Sequence, residues 1–393
     1  MKPSLNYLIL VAAIFCWPQK NLAAGAGTNS LADVKTAFIA HYAGLLEAEY
    51  QDSLALTLRL ETNVEIFLKN PGAENLAAAR QAWTDCREPY LQSEVGRFYD
   101  GPIDGIEGYI NAWPIDENYL DYTVAAPDAG IINQLAAHPE ITREVIIGAN
   151  EKEGEKTVST GFHAIEFLLW GQDLYADSPG RRPFSDYVDG NAGPGLHAAR
   201  RRLYLHLLVQ LLAEHLQIVV NQWQPGHPEN YRARLLAMPP DAALEKIFTG
   251  LGNLSGSELS GERLLVPYTT KSQENEHSCF SDTTHLDLVR NEVGIQDVFL
   301  GRYVRANGTM LQGAGLLDVV ERIDSKLAKK LRQQLAVGVA DLKAIPPPFD
   351  QAILGDGSAP GRVAIKKSLD ALQLQTASIV RAAAALGLQI NLK

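Results

Sequence analysis

The sequence predicts an all-α protein built from two packed helical bundles. Three observations carry that expectation. Nearly every long segment places its apolar residues at helical spacing. Period-2 alternation bounded by turn residues is scarce, which argues against a substantial sheet. Pro225-Gly226-His227-Pro228 and Pro239-Pro240 punctuate the middle of the chain and divide it into halves of bundle size.

The elements follow in order. Lys2 gives a short positive start, Leu5 to Trp17 is mostly apolar, and small residues follow at Ala23-Ala24-Gly25-Ala26. An apolar run this short falls below the about 20 residues of a spanning helix, so residues 1–24 read as an export signal cleaved after Ala24 or Ala26. A periplasmic location is expected. Phe15 stands where a lipidated Cys16 would need a small residue, which weakens a lipid anchor and leaves membrane association open.

Residues 30–69 carry Leu31, Val34, Phe38, Tyr42 and Leu45 on one face, and 73–99 carry Trp83, Tyr90, Val95 and Phe98. Residues 197–223 repeat Leu203, Leu207, Leu211, Leu212, Leu216 and Val219. Past a boundary at 224–241, helices are expected over 241–252, 286–303, 311–343 and 361–388, with a loop from Pro346 to Gly361. Residues 25–224 and 241–393 are thus expected to form the N- and C-terminal bundles. A glycine-led segment in each half, at Gly161 and at Gly250, faintly suggests duplication.

Composition narrows the function. The chain has 393 residues, 46% hydrophobic and 21% charged, with a net charge of −11 and no basic stripe beyond Arg200-Arg201-Arg202. Nucleic acid is therefore not an expected partner. Past the signal, Cys86 and Cys279 remain, either paired across the halves or as two separate thiols.

Chemistry concentrates in Gly161-Phe-His-Ala-Ile-Glu-Phe-Leu-Leu-Trp-Gly-Gln-Asp173. His163 and Glu166, three apart on a helix, project from one face among large apolar groups. A carboxylate buried without a partner costs several kcal/mol, and a cation is the obvious compensation. Three further segments hold candidate ligands. In 83–97, Arg87, Tyr90 and Glu94 share a stripe and Arg97 follows Glu94 by three; this is either an exposed ion-pair ladder or a carboxylate facing a metal with an arginine orienting it. Residues 106–122 form an aromatic, acidic loop that includes Glu107, either a binding surface or a cap on a bundle end. The third runs through Glu258, Glu262 and Arg263 to Glu276, His277, Asp282 and His285, where carboxylates and histidines suit a hard or borderline cation or simply line a solvated loop.

The Gly-x-His-x-x-Glu block resembles the signature of the imelysin family, the group of insulin-cleaving membrane proteases and iron-regulated proteins. The resemblance extends through Glu107-Gly-Tyr-Ile-Asn-Ala-Trp-Pro114, Gly261-Glu262-Arg263 and His277-Ser-Cys-Phe-Ser-Asp282. It implies a two-domain helical fold with a functional site between the domains. His163, Glu166, Glu94, Glu107, Glu262 and Asp282 are accordingly the candidate metal ligands, for iron or zinc.

The family includes proteins named as peptidases, yet the motifs of zinc peptidases are missing. His138 and His227 are each followed by Pro, which excludes His-Glu-x-x-His, and Phe167 after Glu166 excludes His-x-x-Glu-His. Nothing singles out a general base from among Glu94, Glu107 and Glu262. The preferred expectation is an exported metal-binding protein associated with iron uptake or regulation, with outer- or inner-membrane uptake components as partners. A metallopeptidase is the alternative, and a packing-only role for the motif is a third reading.

Overall fold

The computed structural model describes residues 30–190 and 195–392; the expected export signal and Cys16 lie outside the described residues. The fold is all-α apart from one short hairpin.

The first helix, α1 (Leu31–Lys69), starts at a capping box: Ser30 Oγ accepts from the Asp33 N–H at 3.2 Å, and the Asp33 carboxylate accepts from the Ser30 N–H at 2.9 Å. Its 39 residues make a rod of about 58 Å. α2 (Ala73–Ser93) and α4 (Ala198–Trp223) pack on it, and the short motif helix α3 (Gly161–Trp170) packs on α2 and α4. By length and apolarity α4 alone among the described helices passes as a membrane span, but more than half of that window is buried in the protein.

In the C-terminal half, α5 (Pro240–Asn253) continues without a break into a π-helical segment, Leu254–Leu265, where the Val266 N–H reaches back five residues to the Gly261 carbonyl. α6 (Thr284–Leu300), α7 (Leu316–Glu321), α8 (Ser325–Lys343) and α9 (Pro360–Ala385) complete this half. Buried apolar side chains from Val34 to Leu388 form one continuous core across both halves.

Two sequence expectations are corrected here. The helix expected over 73–99 ends at Ser93, and Glu94–Gly96 forms a turn of 3₁₀-helix. The tight packing of Gly96 explains the break, since a Cβ there would stand 2.7 Å from Leu46. The helices expected over 286–303 and 311–343 are interrupted by the hairpin β1 (Arg302–Val304) and β2 (Met310–Gln312), paired Tyr303 to Leu311. Gly301 ends α6 at φ +64, and its carbonyl accepts from the Gly313 N–H at 2.8 Å, closing the base of the hairpin. Tyr303 then buries itself against Leu45 and Ala48 of α1.

Glu292 of α6 is wholly buried. One oxygen accepts from Gln375 Nε2 at 3.0 Å and the other has no partner. Room for it exists because residue 338 is glycine: a Cβ there would stand 2.7 Å from Glu292 Oε1. Burial pushes the Glu292 carboxyl from 4.5 up to about 8. The folded state therefore holds a proton that the unfolded chain releases near 4.5, and this contribution to stability is lost as pH rises from there to about 8. Glu292→Gln is expected to raise Tm at pH 8 by an amount worth a few kcal/mol, with little change at pH 4.5. Thermal unfolding at both pH values checks this, and an unchanged Tm at pH 8 contradicts it.

Candidate functional site

The motif helix α3 begins at a position that only glycine tolerates. Gly161 has φ +82, and a Cβ on it would lie 2.5 Å from the Ile110 carbonyl oxygen. The Phe162 N–H donates to that same carbonyl at 2.8 Å. Gly161 therefore locks α3 onto the 106–114 segment. Every residue of α3 is buried.

His163 Nδ1 lies 2.9 Å from Glu166 Oε2, the contact that the three-residue spacing provides. The other oxygen of Glu166 accepts from the backbone N–H of Ser281 at 2.9 Å and from its hydroxyl at 2.7 Å. Both carboxylate oxygens are thus engaged within the protein. Burial pushes Glu166 up to about 8 despite the Ser281 bonds. Burial, then the Arg87 guanidinium, holds His163 well below the ordinary imidazole range. Its Nε2 is buried and has no partner.

A second histidine repeats the arrangement. His277 Nδ1 lies 2.7 Å from Asp287 Oδ2, which also accepts from Ser278 Oγ at 2.6 Å and Arg87 Nη2 at 2.8 Å. Arg87 also donates to Asn111 Oδ1 at 2.9 Å, and Asn111 Nδ2 stands 3.3 Å from His277 Nε2. The two imidazole centroids are 4.8 Å apart, with Trp113 edge-on to His277 at 4.9 Å. Burial, then Arg263 and Arg87, keeps His277 neutral as well. A neutral imidazole that gives its Nδ1 proton to a carboxylate keeps its Nε2 lone pair for another partner, the tautomer used by metal-ligating histidines; at His277 that lone pair faces the Asn111 amide, whereas at His163 it has no partner.

The remaining candidates have other partners. Glu94 is wholly buried: Arg263 Nη1 and Nη2 reach its oxygens at 2.7 and 3.0 Å, Arg97 Nη1 at 2.7 Å and Asn291 Nδ2 at 2.7 Å. Burial would raise its pKa, but the Arg263 and Arg97 cations outweigh burial and hold it far below the usual carboxylate range. Glu107 pairs with Arg97 at 3.1 Å, and Glu258 with Arg263 at 2.8 Å. Glu262 is exposed on the rim of a 360 Å³ cavity. Asp282, at φ +56, shares a neighbourhood with Asp173 and Asp350; burial, then these two carboxylates, raises it to about 7. The structure therefore brings together His163 and Glu166 and adds His277 and Asp287, while Glu94 and Glu107 are bound by arginines, Glu262 is exposed and Asp282 sits among other carboxylates. Among the described residues, no three or more His, Cys, Asp or Glu side chains stand grouped to hold a metal ion.

His277 is visible in the sequence as part of the His-Ser-Cys-Phe-Ser-Asp block, from which Asp282 was the residue expected to ligate metal. Asp287, ten residues after His277 and on the next helix, had no signal of its own. Of the two readings of Cys86 and Cys279, the structure shows separate thiols: both are free. Cys86 is buried in α2 and donates to the Trp83 carbonyl at 3.2 Å, and burial pushes its thiol up to about 12.

Comparison with known proteins agrees with this fold and motif. The profile of the family described as Imelysin matches residues 46–379. Iron-regulated protein A of Synechococcus elongatus is 28% identical over 325 residues, covering 80% of this chain and 76% of that protein. A crystal structure described as an iron-regulated protein A precursor from Parabacteroides distasonis superposes with a TM-score of 0.70 at 20% identity, covering 93% of this chain and 98% of that one. An imelysin-like protein from Psychrobacter arcticum gives a TM-score of 0.64 at 16% identity, covering 92% and 98%. These two likenesses show the fold. With a profile match spanning most of its length, the chain belongs to the imelysin family.

Proposed function

We propose that this protein is an exported, iron-related metal-binding member of the imelysin family, taking up an iron or zinc ion at His163 and His277. The observation that carries the reading is the buried, unpartnered Nε2 of His163 beside a second imidazole, each ring held through Nδ1 by its own carboxylate. Glu166 and Asp287 then act by orienting the imidazoles, and water or a small ligand completes the coordination shell. Two neutral imidazoles suit a borderline divalent ion. The link to iron rests on the likeness to iron-regulated protein A, and export on the apolar, Lys2-led N-terminus. Membrane components of iron uptake are the partners this reading favours.

Metal analysis of protein purified from the periplasm of iron-replete cells tests it. About one bound iron or zinc per chain is expected, absent from His163→Ala. No metal in the wild type, after export is verified, contradicts the reading. Chelator-sensitive cleavage of a denatured polypeptide that disappears in His163→Ala would instead make the protein a metallopeptidase.

A further inference from the structure

The two imidazoles are alike at Nδ1 and different at Nε2. His163 Nε2 is buried without a partner, whereas His277 Nε2 faces Asn111 Nδ2 at 3.3 Å. Asp287 Oδ2, 2.7 Å from His277 Nδ1, holds the ring proton there. Nε2 therefore carries the lone pair, and the wholly buried Asn111 amide is its donor. The other end of the carboxamide fixes this orientation, since Asn111 Oδ1 accepts from Arg87 Nη1 at 2.9 Å. A turned-over carboxamide would set its own N–H groups against those of Arg87, donor against donor. While Arg87 holds it, Asn111 meets His277 as a donor and does not offer its oxygen to an ion there. The backbone on either side is clamped. The Ile110 carbonyl accepts from the Phe162 N–H at 2.8 Å, and the Asn111 N–H donates to the Glu107 carbonyl at 2.9 Å. Movement at Asn111 is thus confined to its side chain, and the 360 Å³ cavity whose wall it joins gives that side chain space.

We propose that Asn111 is a displaceable cap on His277, so that an incoming ion binds His163 first and reaches His277 only after the carboxamide has swung off Nε2. The inference rests on the reading of His163 and His277 as ligands and adds the order in which they are engaged. A lone pair that accepts an amide N–H is closed to a metal ion, which makes His277 the slow ligand. Asn111 thereby opposes binding without being a ligand itself. Its cost to affinity is that of one neutral hydrogen bond, about 2- to 10-fold.

The test uses the mature full-length protein with Asn111→Ala and Asn111→Leu; both remove the donor, and leucine keeps the volume filled. Nitrogen-15 NMR of histidine-labelled, metal-free protein reads the cap without any metal, and His163→Ala and His277→Ala assign the two rings. Both rings are expected as the tautomer with the proton on Nδ1. The His277 Nε2 resonance is expected upfield of that of His163, and to move to the position of a bare lone pair in both Asn111 variants. Stopped-flow absorbance then follows Co²⁺ binding. The wild type is expected to show a fast phase whose rate rises with Co²⁺ concentration and a slower phase whose rate does not. Both Asn111 variants are expected to lose the slower phase, and Asn111→Ala to bind Co²⁺ about 2- to 10-fold more tightly. A His277 Nε2 resonance unchanged in both variants overturns the cap, as does weaker Co²⁺ binding by Asn111→Ala or a single concentration-dependent phase in the wild type. Failure of the wild type to bind Co²⁺, with the expected nitrogen-15 result, overturns the histidine reading and the ordered binding with it.

Discussion

Replacing Arg263 with methionine is expected to destabilise the fold by about 3–5 kcal/mol. Arg263 comes from the π-helical segment and is wholly buried. It forks onto both oxygens of Glu94 at 2.7 and 3.0 Å and also reaches Glu258 at 2.8 Å. Methionine fills a similar volume, so the loss is electrostatic: Glu94 stays buried with Arg97 as its remaining cation. Removing one partner of a buried pair costs far more than removing both. The double variant Arg263→Met/Glu94→Gln is therefore expected to recover a large part of the loss. Urea unfolding of the wild type, both single variants and the double variant closes the cycle. Additive losses would show that Arg263 acts through packing alone.

The largest functional effects are expected at the two histidines. His163→Ala and His277→Ala should each lower Zn²⁺ affinity by more than about 100-fold, because each removes a donor. Glu166→Gln and Asp287→Asn should lower it by about 10- to 100-fold, the usual range for the groups that hold ligating imidazoles. Glu166→Gln isolates orientation: an amide can donate to Nδ1 and so leave the Nε2 lone pair blocked by a proton. Asp282→Asn, away from the pair, should change affinity by less than about threefold. Titration with competing chelators measures all five. Equal losses in Asp282→Asn and His277→Ala would return Asp282 to the ligand set.

The long helices were legible because burial of one face imposes the 3.6-residue period on the sequence, as at Leu212, Leu216 and Val219; Leu203, expected on the same face, is exposed, and Leu205 and Leu208 are buried in its place. The boundaries that failed depend on glycines whose role is set by neighbours distant in sequence. Gly96 yields to Leu46, and Gly301 closes on Gly313. The π-helical segment was hidden for a related reason: its wider turn breaks the periodicity used to find helices. It also turns Arg263 toward Glu94, a partnership between residues 169 positions apart.

At the site, His163 and Glu166 were legible because they share one turn. The meaning of Glu166 was not, since Ser281 compensates its burial from the other half of the chain. The carboxylate that appeared to require a cation is satisfied by hydrogen bonds, and the unsatisfied atom is the imidazole nitrogen next to it. Asp287 and Asn111 stayed hidden because ordinary helical and loop positions carry no sign of what they will face. Gly161 is the opposite case: the first letter of the motif has a backbone reason, the close approach of the Ile110 carbonyl.

X-ray absorption spectroscopy of the Zn²⁺-loaded protein tests the central claim most directly. Two imidazole nitrogens at about 2.0–2.1 Å are expected, falling to one in His277→Ala. A wild-type spectrum with a single imidazole, unchanged in His277→Ala, would contradict the two-histidine site.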